Sequence, residues 1–385
     1  MNSSSFVKLI SRMAILIVIS VYFRACQIRP CNMSTNVSVS QTKEKESFQD
    51  VLPTIIDTIK TSPKLAEISE VASWITQILE YNLTGGKLNR GVTTVFAYEM
   101  LEKPENITAE TMKQARILGW CVEMLQAYFL VADDMMDGSL TRRGVPCWYQ
   151  LPEVGLSAIN DAILIYSSIF QVLKTYFGHM PQYTDILDLF NDTIFLTSSG
   201  QYLDYSTAHR KKDDYSLFTI ERYESIVKYK TAYYSYKLPV GLGMLLANIR
   251  DKDTFAKVEE LTLGIGKLFQ MQDDFIDCYS DESVSGKVGT DIQEGKCSWL
   301  AVAALQRCSP SQLSVFTQYY GSSESESVEC IKRLYDELEL PSAFRKMEQG
   351  TSEALRAKAN ALYSDAGLNP KLFYALLDAI YNRKQ

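Results

Sequence analysis

Two long apolar stretches of this chain each end in a cluster of aspartates. Arg116 to Asp137 carries Ile117, Leu118, Trp120, Cys121, Met124, Leu125, Phe129 and Leu130, then Asp133, Asp134 and Asp137. Phe255 to Cys278 carries Asp273, Asp274 and Asp277 in the same spacing. Apolar residues spread that widely do not suit a surface helix, so both segments read as helices buried in a bundle. In each cluster the first and last aspartates are i and i+4, which sets both carboxylates on one helix face, about 6 Å apart. Such carboxylates repel, and helix interiors disfavour aspartate. A hard cation removes the conflict, because Mg²⁺ takes one or two carboxylates and completes its shell with water and phosphate oxygens. Two such faces opposed across a cavity would grip a diphosphate through metal.

From Ser47 onward one helical run follows another. Prolines fall at boundaries (Pro104, Pro152, Pro181, Pro310, Pro341), except Pro239, which lies inside a run and should kink it. No stretch alternates at period two, so the expected fold is all-α: a single-domain helical bundle over residues 47–385, after an N-terminal extension of residues 1–46. A hydrophobic content of 46% is ample for its core. The formal charge of −7 excludes the basic footprint of a nucleic-acid binder. Only two histidines and no CxxC pair argue against zinc, and the eight cysteines read as reduced thiols. Residues 1–43 lack acidic side chains and carry Lys8, Arg12, Arg24 and Arg29, as a mitochondrial transit peptide does. The apolar stretch Met13–Phe23 is too short for a stable membrane span. Mitochondrial and cytoplasmic locations both stay open. The Ser-, Gly- and Asp-rich segment 280–295 reads as a loop able to close over a site.

Basic residues recur close to the aspartates. Arg142 and Arg143 follow the first cluster in Gly138–Gly144, and Lys87 and Arg90 lie in the glycine-flanked segment Gly85–Gly91. Lys230-Thr231 sits in an apolar helix, where an unpaired ammonium is costly and a bound anion would relieve it. Lys287 and Lys296 flank the end of the loop. Guanidinium forks match phosphate geometry. Metal-binding faces together with separate basic groups imply two diphosphate sites, one reached through metal and one through Arg and Lys.

Over residues 48 to 385 the chain closely resembles the eukaryotic farnesyl diphosphate synthases, short-chain trans-prenyltransferases. The resemblance rests on Gly85–Gly91, Gly119–Trp148, Gly200–Asp204, Val227–Ser235, Phe269–Asp277 and Gly286–Leu300. It implies the isoprenoid synthase fold, a helical bundle around a deep central cavity, and a homodimer. It implies three Mg²⁺, for which Mn²⁺ can substitute, at Asp133, Asp137 and Asp273, with Asp204 and Asp277 as further metal ligands. Arg142, Lys230, Lys287 and Gln201 would contact the allylic diphosphate, Lys296 and Thr231 would also bind substrate, and Thr231 with Tyr234 would stabilise cationic charge. Lys87, Arg90, Gln126 and Arg143 would hold isopentenyl diphosphate, with Phe269 and Gln270 lining its site. The implied reaction condenses isopentenyl diphosphate head-to-tail with dimethylallyl and then geranyl diphosphate, through an allylic carbocation.

Tyr128 and Phe129 precede Asp133 by five and four residues, about one helical turn deeper in the bundle. Aromatics there match the family pattern for a cavity floor that keeps the product short, C15 or C10. Lys237, Tyr202 and Tyr205 depart from that pattern, and the ending Asn382-Arg383-Lys384-Gln385 is less basic than usual. These departures keep a rival open, a terpene synthase on the same scaffold that ionises a prenyl diphosphate without adding isopentenyl diphosphate. A second rival, a non-catalytic protein using acidic faces for Ca²⁺ or a partner, would not need basic residues in four separate segments.

Overall fold

The structure is a computed structural model that describes residues 44–210, 214–280 and 289–381, so the expected targeting segment, Lys287 and the C-terminal Asn382–Gln385 lie outside the described residues. Phe48–Gln385 is one compact unit. Its helices are α1 (Leu52–Lys60), α2 (Ser69–Leu83), α3 (Asn89–Leu101), α4 (Ala109–Asp137), α5 (Ala158–Phe177), α6 (Tyr183–Tyr205), α7 (Ile220–Val227) and α8 (Leu238–Leu246). They continue with α9 (Lys252–Tyr279), α10 (Asp291–Glu294), α11 (Trp299–Leu305), α12 (Pro310–Tyr319), α13 (Ser325–Glu337), α14 (Leu340–Ala366) and α15 (Lys371–Tyr381).

The two acidic clusters close the two longest helices. At the start of α4, Thr108 and Thr111 form a reciprocal capping box that satisfies two orphan amides. Its end is Gly138 at φ 67°, a left-handed conformation that glycine adopts without strain. Helix α9 is capped by Asp251 and ends just after Asp277. Every residue of α4 from Ile117 to Ala127 is buried, as the breadth of its apolar pattern requires. Helices α4 and α5 (with the turn Gly155–Ser157 before it) are long and apolar enough to cross a membrane, but α4 is a core helix of the bundle.

Among the described residues the sole strand pairing is a two-residue hairpin, Thr141–Arg142 against Val145–Pro146. Its turn residues Arg143 and Gly144 have φ of 55° and 78°, the sign that a tight hairpin turn needs at both positions. This turn separates two adjacent arginines into different environments. Pro239 does not kink a continuous α-helix. Lys228–Lys237 is wound as a π-helix between α7 and α8, and Pro239 falls at the first positions of α8. There its missing amide interrupts no α-helical ladder, and π segments of this kind concentrate at functional sites. All six cysteines among the described residues are free thiols.

Glycines bring the site-bearing helices into backbone contact. A Cβ on Gly200 of α6 would lie 2.1 Å from the amide nitrogen of Lys230. Gly91 and Gly119 pack α3 on α4 in the same way, with a Cβ on Gly119 falling 2.5 Å from the Gly91 carbonyl oxygen. Replacing Gly200 by Ala must therefore push the π segment off α6. The expected cost is roughly 1–3 kcal/mol, read as a lower urea midpoint at unchanged m-value. An unshifted midpoint would mean that α6 and the π segment are not locked together at this point.

Candidate active site

The first acidic cluster is held by lysines from two other elements. Lys230, on the π segment, places Nζ 2.6 Å from Asp204 Oδ2 and 3.3 Å from Asp133 Oδ1. Lys296, just before α11, places Nζ 3.0 Å from Asp137, 3.3 Å from Asp204 and 3.5 Å from Glu294. Gln201 Nε2 donates to Asp133 Oδ1 at 2.7 Å. Burial opposes ionisation of Asp204, but the two ammonium groups outweigh it and hold its pKa well below the usual range. Asp133 is lowered too, burial being outweighed by Lys230 and Lys296, whereas burial and the adjacent Asp133 push Asp137 up. Lys230 was expected to need a bound anion. It is balanced by protein carboxylates, which raise its pKa against the effect of burial.

Among the described residues no three His, Cys, Asp or Glu side chains stand close enough to cage a cation alone. Yet Asp137 Oδ1 is buried with no hydrogen-bond partner. All-oxygen donors spread over two helices suit an ion that completes its shell with phosphate oxygens.

The middle aspartates do other work. Asp134 is buried and accepts from Arg142 Nε at 3.0 Å, so Arg142 is anchored at the lip of the first cluster. Asp274 is buried, and its Oδ2 accepts from Tyr223 hydroxyl at 2.7 Å and from the Trp299 amide at 2.8 Å. Gln270 Nε2 donates to its other oxygen at 2.9 Å. Burial outweighs these donors and pushes Asp274 up to about 6. Asp277, expected as a metal ligand, accepts the Asp291 amide at 3.0 Å and so ties the end of the loop to its helix. Asp273 is half-buried one residue before Asp274. Gln270 was expected to line the isopentenyl site. Its side chain bridges two elements, accepting from Thr231 Oγ1 at 2.8 Å while donating to Asp274. The π segment thus reaches both acidic clusters, Asp133 directly through Lys230 and Asp274 through Thr231 and Gln270.

The remaining basic residues gather around Arg90. Its Nε donates to Ser235 Oγ at 2.9 Å and its Nη2 to the Tyr234 hydroxyl at 3.0 Å, and its guanidinium lies 4.6 Å from the Tyr234 ring centroid and 6.0 Å from that of Phe269. Arg143 donates to the carbonyls of Asn82 and Thr84 at 3.1 and 2.8 Å. A Cβ on Gly86 would stand 2.9 Å from its Cζ, so the loop passes directly over the guanidinium. Lys87, on that loop, is exposed. Gln126 is buried with its Oε1 unpartnered. Glu123 was overlooked in the sequence. It is buried, accepts the Gly91 amide at 2.7 Å, and has Arg90 and Arg143 as charged neighbours. A glutamate within an apolar run, one turn before Gln126, was the available signal.

Tyr128 and Phe129 lie together, 5.1 Å between ring centroids, on the α4 turn before Asp133. Lys237 stays out of this region. It pairs with Glu259 at 3.6 Å and rests over the Tyr233 ring at 5.6 Å. Tyr202 is 56% exposed, and Tyr205 stacks on His209 at 4.4 Å. Of the departures that kept the terpene synthase rival open, Lys237 is thus held by Glu259 and Tyr233, and Tyr205 by His209.

Residues 72–338 match the family model described as Polyprenyl synthetase. The chain is 43% identical over 345 residues to farnesyl pyrophosphate synthase of Mus musculus, covering 89% of this chain and 97% of that protein. It is 45% identical over 319 residues to the Homo sapiens enzyme of the same name, covering 83% and 76%. A solved T. brucei farnesyl diphosphate synthase complexed with bisphosphonate superposes with a TM-score of 0.83 at 33% identity, covering 89% of this chain and all of that one. An all-helical bundle with two acidic clusters tied through one π segment, and these likenesses over most of its length, make the chain a member of the polyprenyl synthetase family.

Proposed function

We propose that this chain is a farnesyl diphosphate synthase, condensing isopentenyl diphosphate with dimethylallyl diphosphate and then geranyl diphosphate. The observation that carries the reading is the second basic set. Arg90, bonded to Ser235 and Tyr234, and Arg143, bonded to the Asn82 and Thr84 carbonyls, form a set separate from the lysines paired to Asp133, Asp137 and Asp204. An enzyme that only ionises one prenyl diphosphate has no use for a second group of phosphate-binding cations.

Asp133, Asp137 and Asp273, with Asp204 and Asp277, would hold three Mg²⁺ together with the allylic diphosphate. The bound ions supply positive charge against the negative charge that develops as diphosphate departs. Arg142, Lys230, Lys296 and Gln201 would add fixed donors to the same group. Charge-directed groups set in place beforehand need no reorganisation during bond cleavage, which is commonly the largest catalytic contribution. Thr231 and Tyr234 would stabilise the cationic charge with carbonyl or hydroxyl dipoles, while Arg90, Arg143 and Lys87 would hold isopentenyl diphosphate with its double bond in range of it. Departing diphosphate takes the final proton, which fits a chain with two histidines. Exposed apolar side chains on α5, including Ile159 and Ile163, support a homodimer built on this face. The acid-free N-terminus supports mitochondrial import. A fluorescent protein carrying residues 1–46 should enter mitochondria, and diffuse cytoplasmic signal would overturn that part.

Asp133→Ala and Asp273→Ala should each lower turnover on the order of 10²- to 10⁴-fold in a folded enzyme, and chelator should abolish activity. Near-normal rates in either test exclude metal-assisted ionisation. Arg90→Ala should raise KM for isopentenyl diphosphate roughly ten- to a hundred-fold, because charge-assisted phosphate contacts are worth about 1.5–3 kcal/mol. The KM for geranyl diphosphate should barely move. Release of a hydrocarbon from farnesyl diphosphate alone, with isopentenyl diphosphate ignored, would instead establish the terpene synthase.

A further inference from the structure

A chain of hydrogen bonds runs from Tyr223 on α7, across α9, to Thr231 on the π segment. Asp274 Oδ2 accepts the Tyr223 hydroxyl at 2.7 Å and the Trp299 amide at 2.8 Å, and Oδ1 accepts Gln270 Nε2 at 2.9 Å. Gln270 Oε1 in turn accepts Thr231 Oγ1 at 2.8 Å. Tyr223, Asp274 and Thr231 are all buried, where an unmade bond is costly and each partner polarises the next.

The chemistry of the end groups decides which way every hydrogen in this chain points. A backbone amide only donates and a carboxylate only accepts. Asp274 therefore takes the NH₂ end of Gln270 and turns the carbonyl end toward Thr231. An amide oxygen only accepts, so the Thr231 hydroxyl must be the donor. Its hydrogen is committed to Gln270, and no described side chain or amide donates to its oxygen. A hydroxyl held this way presents lone pairs, not a proton, to whatever lies on its other side. Tyr223 supplies one of the three donors that keep Asp274 an acceptor. Burial and the Asp274 charge push the Tyr223 pKa well up, so the phenol keeps its proton.

We infer that Tyr223 sets the polarity of the Thr231 hydroxyl, through Asp274 and Gln270, so that Thr231 offers oxygen lone pairs to the allylic carbocation. It is a positioning residue, three hydrogen bonds removed from Thr231. The inference rests on the reading of the protein as a farnesyl diphosphate synthase in which Thr231 stabilises cationic charge, a contribution that depends on dipoles oriented beforehand.

The test uses full-length wild type, Tyr223→Phe and Asp274→Asn, each with and without Thr231→Val, given geranyl and isopentenyl diphosphates with Mg²⁺. Single-turnover condensation rates and both KM values are read. Tyr223→Phe should slow condensation roughly five- to twenty-fold, as loss of one donor to a buried carboxylate implies. Both KM values should stay within about two-fold. Asp274→Asn keeps the shape but inverts the chain. The Trp299 amide must hold the Asn oxygen, so the Asn NH₂ faces Gln270, whose amide turns over and leaves Thr231 the acceptor. This variant should be slower still. Thr231→Val alone should slow condensation about ten-fold or more. On that background neither second change should cost more than about two-fold, because the polarity of an absent hydroxyl has no consequence.

Circular dichroism confirms folding, and if Tyr223→Phe fails to fold, the Asp274→Asn pair decides. A wild-type rate in Tyr223→Phe or Asp274→Asn, or equal slowing with and without the Thr231 hydroxyl, overturns the inference and leaves Tyr223 as packing. A wild-type rate in Thr231→Val overturns its role at the cation, and absence of farnesyl diphosphate from wild type overturns the function on which both depend.

Discussion

Asp204 shared between two lysines is the contact on which the rest of the site depends. Lys230 and Lys296 come from different elements, yet both converge on this one buried carboxylate and reach on to Asp133 and Asp137. Taking several charges out of water is tolerable only when each is paired and hydrogen-bonded. Here three carboxylates and two ammonium groups satisfy that condition jointly, so α4, α6, the π segment and the chain before α11 are fixed relative to one another. Breaking one member would leave a buried charge unbalanced, which is why the cluster specifies position more than it adds stability.

The π segment carries this charge cluster over to the second acidic helix. An α-helix advances 100° per residue, so a wider winding changes which side chains share a face. Over Lys228–Lys237 that winding lets Lys230 reach Asp133 and Asp204 while Thr231 reaches Gln270, and Tyr234 and Ser235 hold Arg90. One ten-residue segment thus contacts the first aspartate cluster, the Gln270 that supports the second, and Arg90. Gly200 makes this possible by letting α6 approach the backbone of Lys230 directly.

Within each aspartate triplet the labour is divided. The first and last members of the α4 cluster face the lysines, while the middle one, Asp134, turns inward to fix Arg142. In α9 the middle one, Asp274, gathers Tyr223, Gln270 and the Trp299 amide, which pins the second cluster to α7 and α11. The middle positions are buried supports, and burial is what lifts Asp274 above the ordinary carboxylate range.

Much of this was legible in the chain itself. The width of the apolar pattern in α4 announced a buried helix, and the i, i+4 spacing put Asp133 and Asp137 on one face, because helical geometry is local. A buried-looking helix marked Lys230 as needing an anion, since a buried cation must be paired, and the family resemblance marked Arg90 and Lys296 as substrate-binding. What those partners are was decided in three dimensions: Lys230 meets Asp204 from 26 residues away, and Lys296 meets Asp137 from 159 residues away. The same holds for Gln270, whose amide bridges Thr231 and Asp274, and for Lys237, which pairs with Glu259. Spacing along a helix fixes which residues share a face, but which surface that face meets depends on contacts between segments far apart in the chain, and only the tertiary structure supplies them.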